Sequence, residues 1–196
     1  MFIHILSYIY GFRFLYSDVC DVNDDTVFEI LYAAKRYDVS ELEVFCSNFI
    51  KTKLSDGNLI FYTNQALEFD AKEYLKMCHE YFEKRIVTII DSKEILEAPQ
   101  KVLLTFCEVK KDSHTEVRYF SACVKWAWAE CKRQDIVENA VHLRKVLGDI
   151  VTQINYGNMS LNDFYNTVLT KNILTTEEAG QAIMNIRDKE MITVSV

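Results

Sequence analysis

Glycine and proline are scarce, with five and one in 196 residues. A β-rich fold with many tight turns uses both heavily, because glycine supplies positive φ and proline presets a turn. Their shortage argues against such a fold and for helices joined by short polar links. A surplus of positive charge is also missing: 22 lysines and arginines face 29 aspartates and glutamates, for a formal charge of −7. The scattered basic residues leave no electrostatic footprint for nucleic acid. There is no glycine-rich phosphate loop and no C-x-x-C pair among the six cysteines, which read as reduced thiols of a cytoplasmic or nuclear protein. The start, MFIHILSYIY, is too short to span a bilayer and carries neither a basic leader nor a small-residue cleavage site, so no membrane or targeting segment is expected.

What is present is apolar content of 49%, enough for one sizeable helical domain or two small ones. Behind the acidic opening Asn23–Asp25, residues Val27, Ile30, Leu31 and Ala34 fall at i, i+3, i+4 and i+7, the stripe of an amphipathic helix. Ser40 and Glu43 have capping-box spacing ahead of a second stripe, Leu42, Phe45, Cys46, Phe49 and Ile50. Asp56 is placed to cap a third helix carrying Leu59, Tyr62, Thr63 and Ala66 inward. Asp70 and Glu73 open a fourth through Tyr74, Leu75, Cys78 and Phe82. Pro99 sits near the start of a helix bearing Val102, Leu103 and Phe106, followed by a charged break at 110–113. The longest helix then carries Val117, Phe120, Val124, Ala127 and Cys131, and further helices are expected over 139–150, 160–169 and 176–187. Only the beginning departs from this rhythm: after a helix over 2–10, the aromatic-rich GFRFLYSDVCDV favours a short extended piece. The expectation is an all-α fold of antiparallel helix pairs.

Catalytic and metal chemistry find little support. Cys78 and His79 are adjacent, but neighbours on a helix point about 100° apart and share no face. The acidic pairs Asp24–Asp25 and Glu177–Glu178 fall at helix starts, where their charge favours the dipole. Lys132, Arg133, Arg144 and Lys145 read as solvated helix ends. Trp126 lies beside the core stripe and reads as packing, whereas Trp128 is turned toward the polar side and is a candidate surface contact. Neither a cofactor nor a metal is expected.

The segments SYIY (7–10), YSDVCDVNDDTV (16–27), LYAAKRYDVSELEVFCSNFI (31–50) and NLIFYTNQALEFD (58–70) resemble the C-terminal half of a BTB/POZ domain running into a BACK domain. FSACVKWAWAECKRQ (120–134), RKVLG (144–148), MSLNDF (159–164) and ILTTEEA (173–179) resemble the BACK domain of the BTB-BACK-PHR group. The resemblance implies a BTB half over 1–55, a BACK-like helical domain over 56–188 and a tail over 189–196. The matching segments begin within the BTB domain and stop short of the PHR sandwich, and Gly11–Tyr16 reads as an insertion between two of them. The implied function is a non-enzymatic substrate adaptor of cullin-3 RING ubiquitin ligases, dimerising through BTB in a full-length form. The alternatives are a BTB-type scaffold in transcriptional or developmental regulation that binds no cullin, and an inactive fragment. Carried over by position, the cullin-facing residues are Tyr8 and Tyr10, Tyr37 and Asp38, and Asn58 and Tyr62. The resemblance leaves the substrate protein unnamed.

Overall fold

A computed structural model describes residues 22–194, with side chains described through 191. The expected first helix, the extended aromatic piece, Cys20, Tyr8 and Tyr10 lie outside the described residues. Every described element is helical, as the all-α expectation required, and no strand occurs among the described residues. The chain divides into two compact units after Lys76.

The first unit is built on α1 (Val27–Arg36), α2 (Ser40–Lys53), α3 (Leu59–Glu68) and the start of α4 (Lys72–Ile90). The expected inward residues of α1 and α3 are all buried, and Phe28 fills the space between them, with its ring edge-on to Tyr62 at 5.8 Å and to Tyr74 at 6.0 Å. Full burial of such a side chain stabilises by about 1.5–3 kcal/mol. On α2 the buried row is Leu42, Cys46 and Ile50, spaced by four, while Phe45 is half exposed. The expected five-residue stripe was too wide, because α2 packs along a single ridge and leaves its flank free.

The turns account for the missing glycine. α1, α3 and α6 (Ser113–Arg133) each end with an aspartate in the left-handed region, at Asp38 (φ 57°), Asp70 (φ 48°) and Asp135 (φ 54°). The next residue then donates its N–H five residues back, Val39 to Ala34 at 2.9 Å, Ala71 to Ala66 at 2.8 Å and Ile136 to Cys131 at 2.9 Å. This is the Schellman closure, in which glycine is the usual residue and a short polar side chain the tolerated one. It also corrects three expected caps. Asp70 closes α3 instead of capping α4. Because Tyr37–Val39 are taken up by the turn, Ser40 is already helical and forms no capping box. Asn58, not Asp56, precedes α3, and its side chain turns back to receive the Ser55 N–H at 2.8 Å and to bond the Lys53 carbonyl at 2.9 Å.

The second unit contains the rest of α4, with non-helical backbone at Arg85, a 3₁₀ turn at Glu94–Glu97, α5 (Gln100–Cys107), α6, α7 (Ala140–Leu147) and α8 (Ile150–Gln153). After a 3₁₀ turn at Tyr156–Asn158, α9 (Leu161–Asp163) widens into a π turn at Phe164–Val168 and tightens to 3₁₀ at Leu169–Lys171. α10 (Thr176–Val194) runs past the expected end at 187 and into the stretch read as a tail. Phe82 and Phe106 stack at 4.0 Å in its core, with Tyr119 edge-on to Phe82 at 6.1 Å. Trp126 is buried and donates from Nε1 to the Ala98 carbonyl at 2.8 Å, so it is a packing residue, as expected.

Candidate interaction surfaces

Of the residues carried over as cullin-facing, four lie in the described first unit. Tyr37 is 49% exposed and Asp38 is exposed beside it, both presented by the turn that closes α1. Asn58 is half-buried at the far end of α2, and its side chain is engaged in shaping the α2–α3 link. A helix of fourteen residues is about 20 Å long, so α2 separates Asn58 from Tyr37 and Asp38. Tyr62 is fully buried and its hydroxyl donates to the Asp24 carboxylate, so it does not itself face a partner.

What joins these points is a row that sequence reasoning assigned to the core or passed over. Val44 (59% exposed) and Phe45 (50% exposed) stand on the outer flank of α2 between Asp38 and Asn58. Phe49 is half-buried one turn on, with Lys53 Nζ 5.9 Å from its ring. Exposed apolar residues in a contiguous row mark interaction surfaces more often than chance, and Phe45 four residues before Phe49 makes the row continuous. Beside the buried row the hairpin carries polar contacts: Lys35 pairs with Glu43 at 3.8 Å, both part exposed, and lies 5.4 Å over the Tyr74 ring, and the Ser47 and Tyr74 hydroxyls bond at 2.5 Å. Burial pushes the Tyr74 hydroxyl above its ordinary pKa, with the Ser47 bond opposing.

The second unit holds a buried polar knot that the sequence pattern disguised as a charged break. Lys111 is buried; its ammonium donates to the Phe106 and Val109 carbonyls at 2.8 Å each and to Cys107 at 3.3 Å, capping the end of α5. It also sits 4.5 Å over the Tyr119 ring. Burial lowers the Lys111 pKa, while Glu116, buried on the first turn of α6, opposes that shift. Burial raises the Glu116 pKa, with Lys111 and the Asn155 N–H opposing. Asp112 caps α6 by accepting from Thr115 N at 2.8 Å. Burial pushes Cys107 up to about 11, and Cys123, fully buried, higher still, so neither thiol is a thiolate near neutral pH.

Arg144, read as a solvated helix end, is instead a clamp. Its guanidinium forks onto both Glu178 oxygens at 2.7 Å and donates to the Ile173 carbonyl at 2.6 Å, tying α7 to the start of α10. Glu178 also completes a capping box, exchanging bonds with Thr175 at 2.8 and 3.2 Å. The Arg144 and Thr175 hydrogen bonds hold the Glu178 carboxyl down at about 2. A cleft of about 240 Å³ beside it is lined by Tyr156, Gly157, Leu174, Gln181 and Asn185. Its one carboxylate is already ionised and clamped, which suits it poorly to moving a proton near neutrality. Among the described residues no group of three histidine, cysteine, aspartate or glutamate side chains could hold a metal, and no helix is long and apolar enough to cross a membrane. His79, expected to share no face with Cys78, bonds through Nε2 to the Thr105 hydroxyl at 3.0 Å while Cys78 is fully buried.

Trp128, the candidate surface contact, is 38% exposed, and Lys171 Nζ lies 5.5 Å from its ring.

No protein-family model matches the chain. Individual proteins do. BTB/POZ domain-containing protein 3 of Homo sapiens is 30% identical over 172 residues, 88% of this chain and 33% of that protein. BTB/POZ domain-containing protein 6 is 32% identical over 166 residues, 85% of this chain and 31% of that protein, in both Homo sapiens and Xenopus tropicalis. The chain is a homologue of the BTB/POZ domain-containing proteins. The resemblance to the BTB-BACK-PHR group is thereby borne out over most of the chain, which spans about a third of the length of these BTB/POZ relatives.

Proposed function

We propose that this BTB/POZ homologue is an adaptor or scaffold, without catalytic chemistry of its own, in cullin-3 RING ubiquitin ligation. Its mechanism is positional: one helical surface holds the ligase core, another orients a second protein, and the raised effective concentration promotes ubiquitin transfer by partners. The observation that carries the reading is the relationship to BTB/POZ proteins over 85–88% of the chain. The exposed row on α2 supports it by offering a surface with Tyr37 and Asp38 at one end and Asn58 at the other. On this reading residues 1–55 are the C-terminal half of a BTB fold and 56–188 a BACK-like domain. The first compact unit takes in α3, the first helix assigned to BACK, beside the BTB helices, which suits a grip shared by both. Tyr8 and Tyr10 belong to the same proposed surface, a full-length form dimerises through BTB, and the cytoplasm or nucleus is the setting.

The test is calorimetric titration of the folded chain with the N-terminal domain of cullin-3. Binding at about micromolar strength or tighter is expected, near −8 kcal/mol. Phe45→Glu, an exposed change, should weaken it about tenfold or more without altering the circular dichroism melt. A folded sample that gives no heat would leave a scaffold that binds no cullin.

A further inference from the structure

We propose that the face of α6 around Trp128 docks an acidic segment of a partner polypeptide. The two tryptophans of this helix sit two positions apart and do different things. Trp126 is 3% exposed and its indole N–H is bonded to Ala98. Trp128 is 38% exposed, and its indole N–H has no hydrogen-bond acceptor among the described residues. Trp128 thus keeps both an apolar ring and a hydrogen-bond donor at the surface, the combination that enriches tryptophan at interfaces.

Three lysines gather around it. Lys171 lies over the ring at 5.5 Å. On the same helix, Lys125 is three residues before Trp128 and Lys132 four after, so both stand on its face one turn away. Lys132 makes an exposed pair with Glu138 at 3.6 Å, a weak and screened contact. Neither Lys125 nor Lys171 is in an ion pair among the described residues. Lys171 is set in place by an irregular backbone: the π turn at Phe164–Val168, the 3₁₀ turn at Leu169–Lys171 and Asn172 at φ 53°. In a chain of net charge −7, three cations framing an exposed indole favour carboxylates for the lysines and an apolar or aromatic side chain against the ring.

Docking at Trp128 requires no cullin, and the assay contains none. The probe is a short fluorescein-labelled peptide alternating glutamate with phenylalanine, read by anisotropy against the whole chain, with a lysine–phenylalanine peptide as comparison. Saturable binding of the acidic peptide alone, falling as salt rises, is expected. Trp128→Ala and the surface change Lys171→Glu should each weaken it about tenfold, and Lys84→Glu, on α4, should not. Circular dichroism melts establish that the variants are folded. Equal binding by the variants, equal binding of the basic peptide, or no binding by the wild type would overturn the assignment. So would self-association that Trp128→Ala abolishes, which would give the face to a second copy of the chain.

Discussion

Replacing Gly148 with alanine tests the tertiary logic at one atom. Gly148 closes α7 with φ 53° and ψ −129°, a combination that glycine adopts freely and L side chains rarely do. A Cβ there would stand 2.9 Å from Gln100 Nε2. That amide is not free to move without loss: it donates to the Val146 carbonyl at 2.9 Å and the Leu147 carbonyl at 3.1 Å, tying the start of α5 to the end of α7. Backbone strain of about 1–3 kcal/mol and two displaced hydrogen bonds at about 1 kcal/mol each give about 3–5 kcal/mol, and with water recovering about 1 kcal/mol at the freed groups the expected loss is about 2–4 kcal/mol. For a chain of this size that is a fall in Tm of roughly 5–15 °C. Both tryptophans lie in the second unit, so urea unfolding followed by their fluorescence reports on this unit directly. Gln100→Ala removes both the bonds and the collision, so the double variant should cost about 1–2 kcal/mol less than the sum of the singles. A loss below about 0.5 kcal/mol for Gly148→Ala, or strict additivity with Gln100→Ala, would refute the reasoning.

Lys111→Met keeps most of the unbranched side chain, ending about where Cε stood, and removes the donors to three carbonyls. A loss of about 2–4 kcal/mol in urea unfolding is expected, and a variant as stable as wild type would mean that desolvation of the ammonium cancels what its hydrogen bonds contribute. Glu178 titrates at about 2 in the fold, below its ordinary value of 4.5, so its contribution is complete above about pH 5 and is lost as the pH falls toward 2. Arg144 and Glu178 are each about a third exposed, so the amount is only about 1 kcal/mol. Stability curves of wild type and Glu178→Gln should converge on acidification, and a constant gap from pH 6 to pH 3 would exclude the clamp as the cause.

The helices were legible because their apolar residues repeat at helical spacing, and α1, α3 and the middle of α6 bury the residues their patterns nominated. Phe45 and Lys111 were misread for the same reason: periodicity reports which residue types recur, and not which flank a neighbour covers. Phe45 fits an apolar stripe and is left exposed, while Lys111 fits a charged break and is buried over Tyr119. A signal for the turns was present in Tyr-Asp-Val, Phe-Asp-Ala and Gln-Asp-Ile, where aspartate precedes an apolar or small residue just past a helix. It is easily passed over because aspartate serves helix starts more often than helix ends.

By itself, then, the sequence determined the all-helical class, the places where α1, α3 and α6 run, and the relationship to BTB/POZ proteins, since all three depend on residue order along one chain. The tertiary structure alone decided that Arg144 reaches Glu178 across 34 positions, that Gln100 holds the last carbonyls of α7, and that Trp128 stays at the surface while Trp126 does not. Those outcomes depend on which distant groups the packing brings within about 3 Å, and hydrogen bonds and burial are settled by that distance, to which local periodicity is blind.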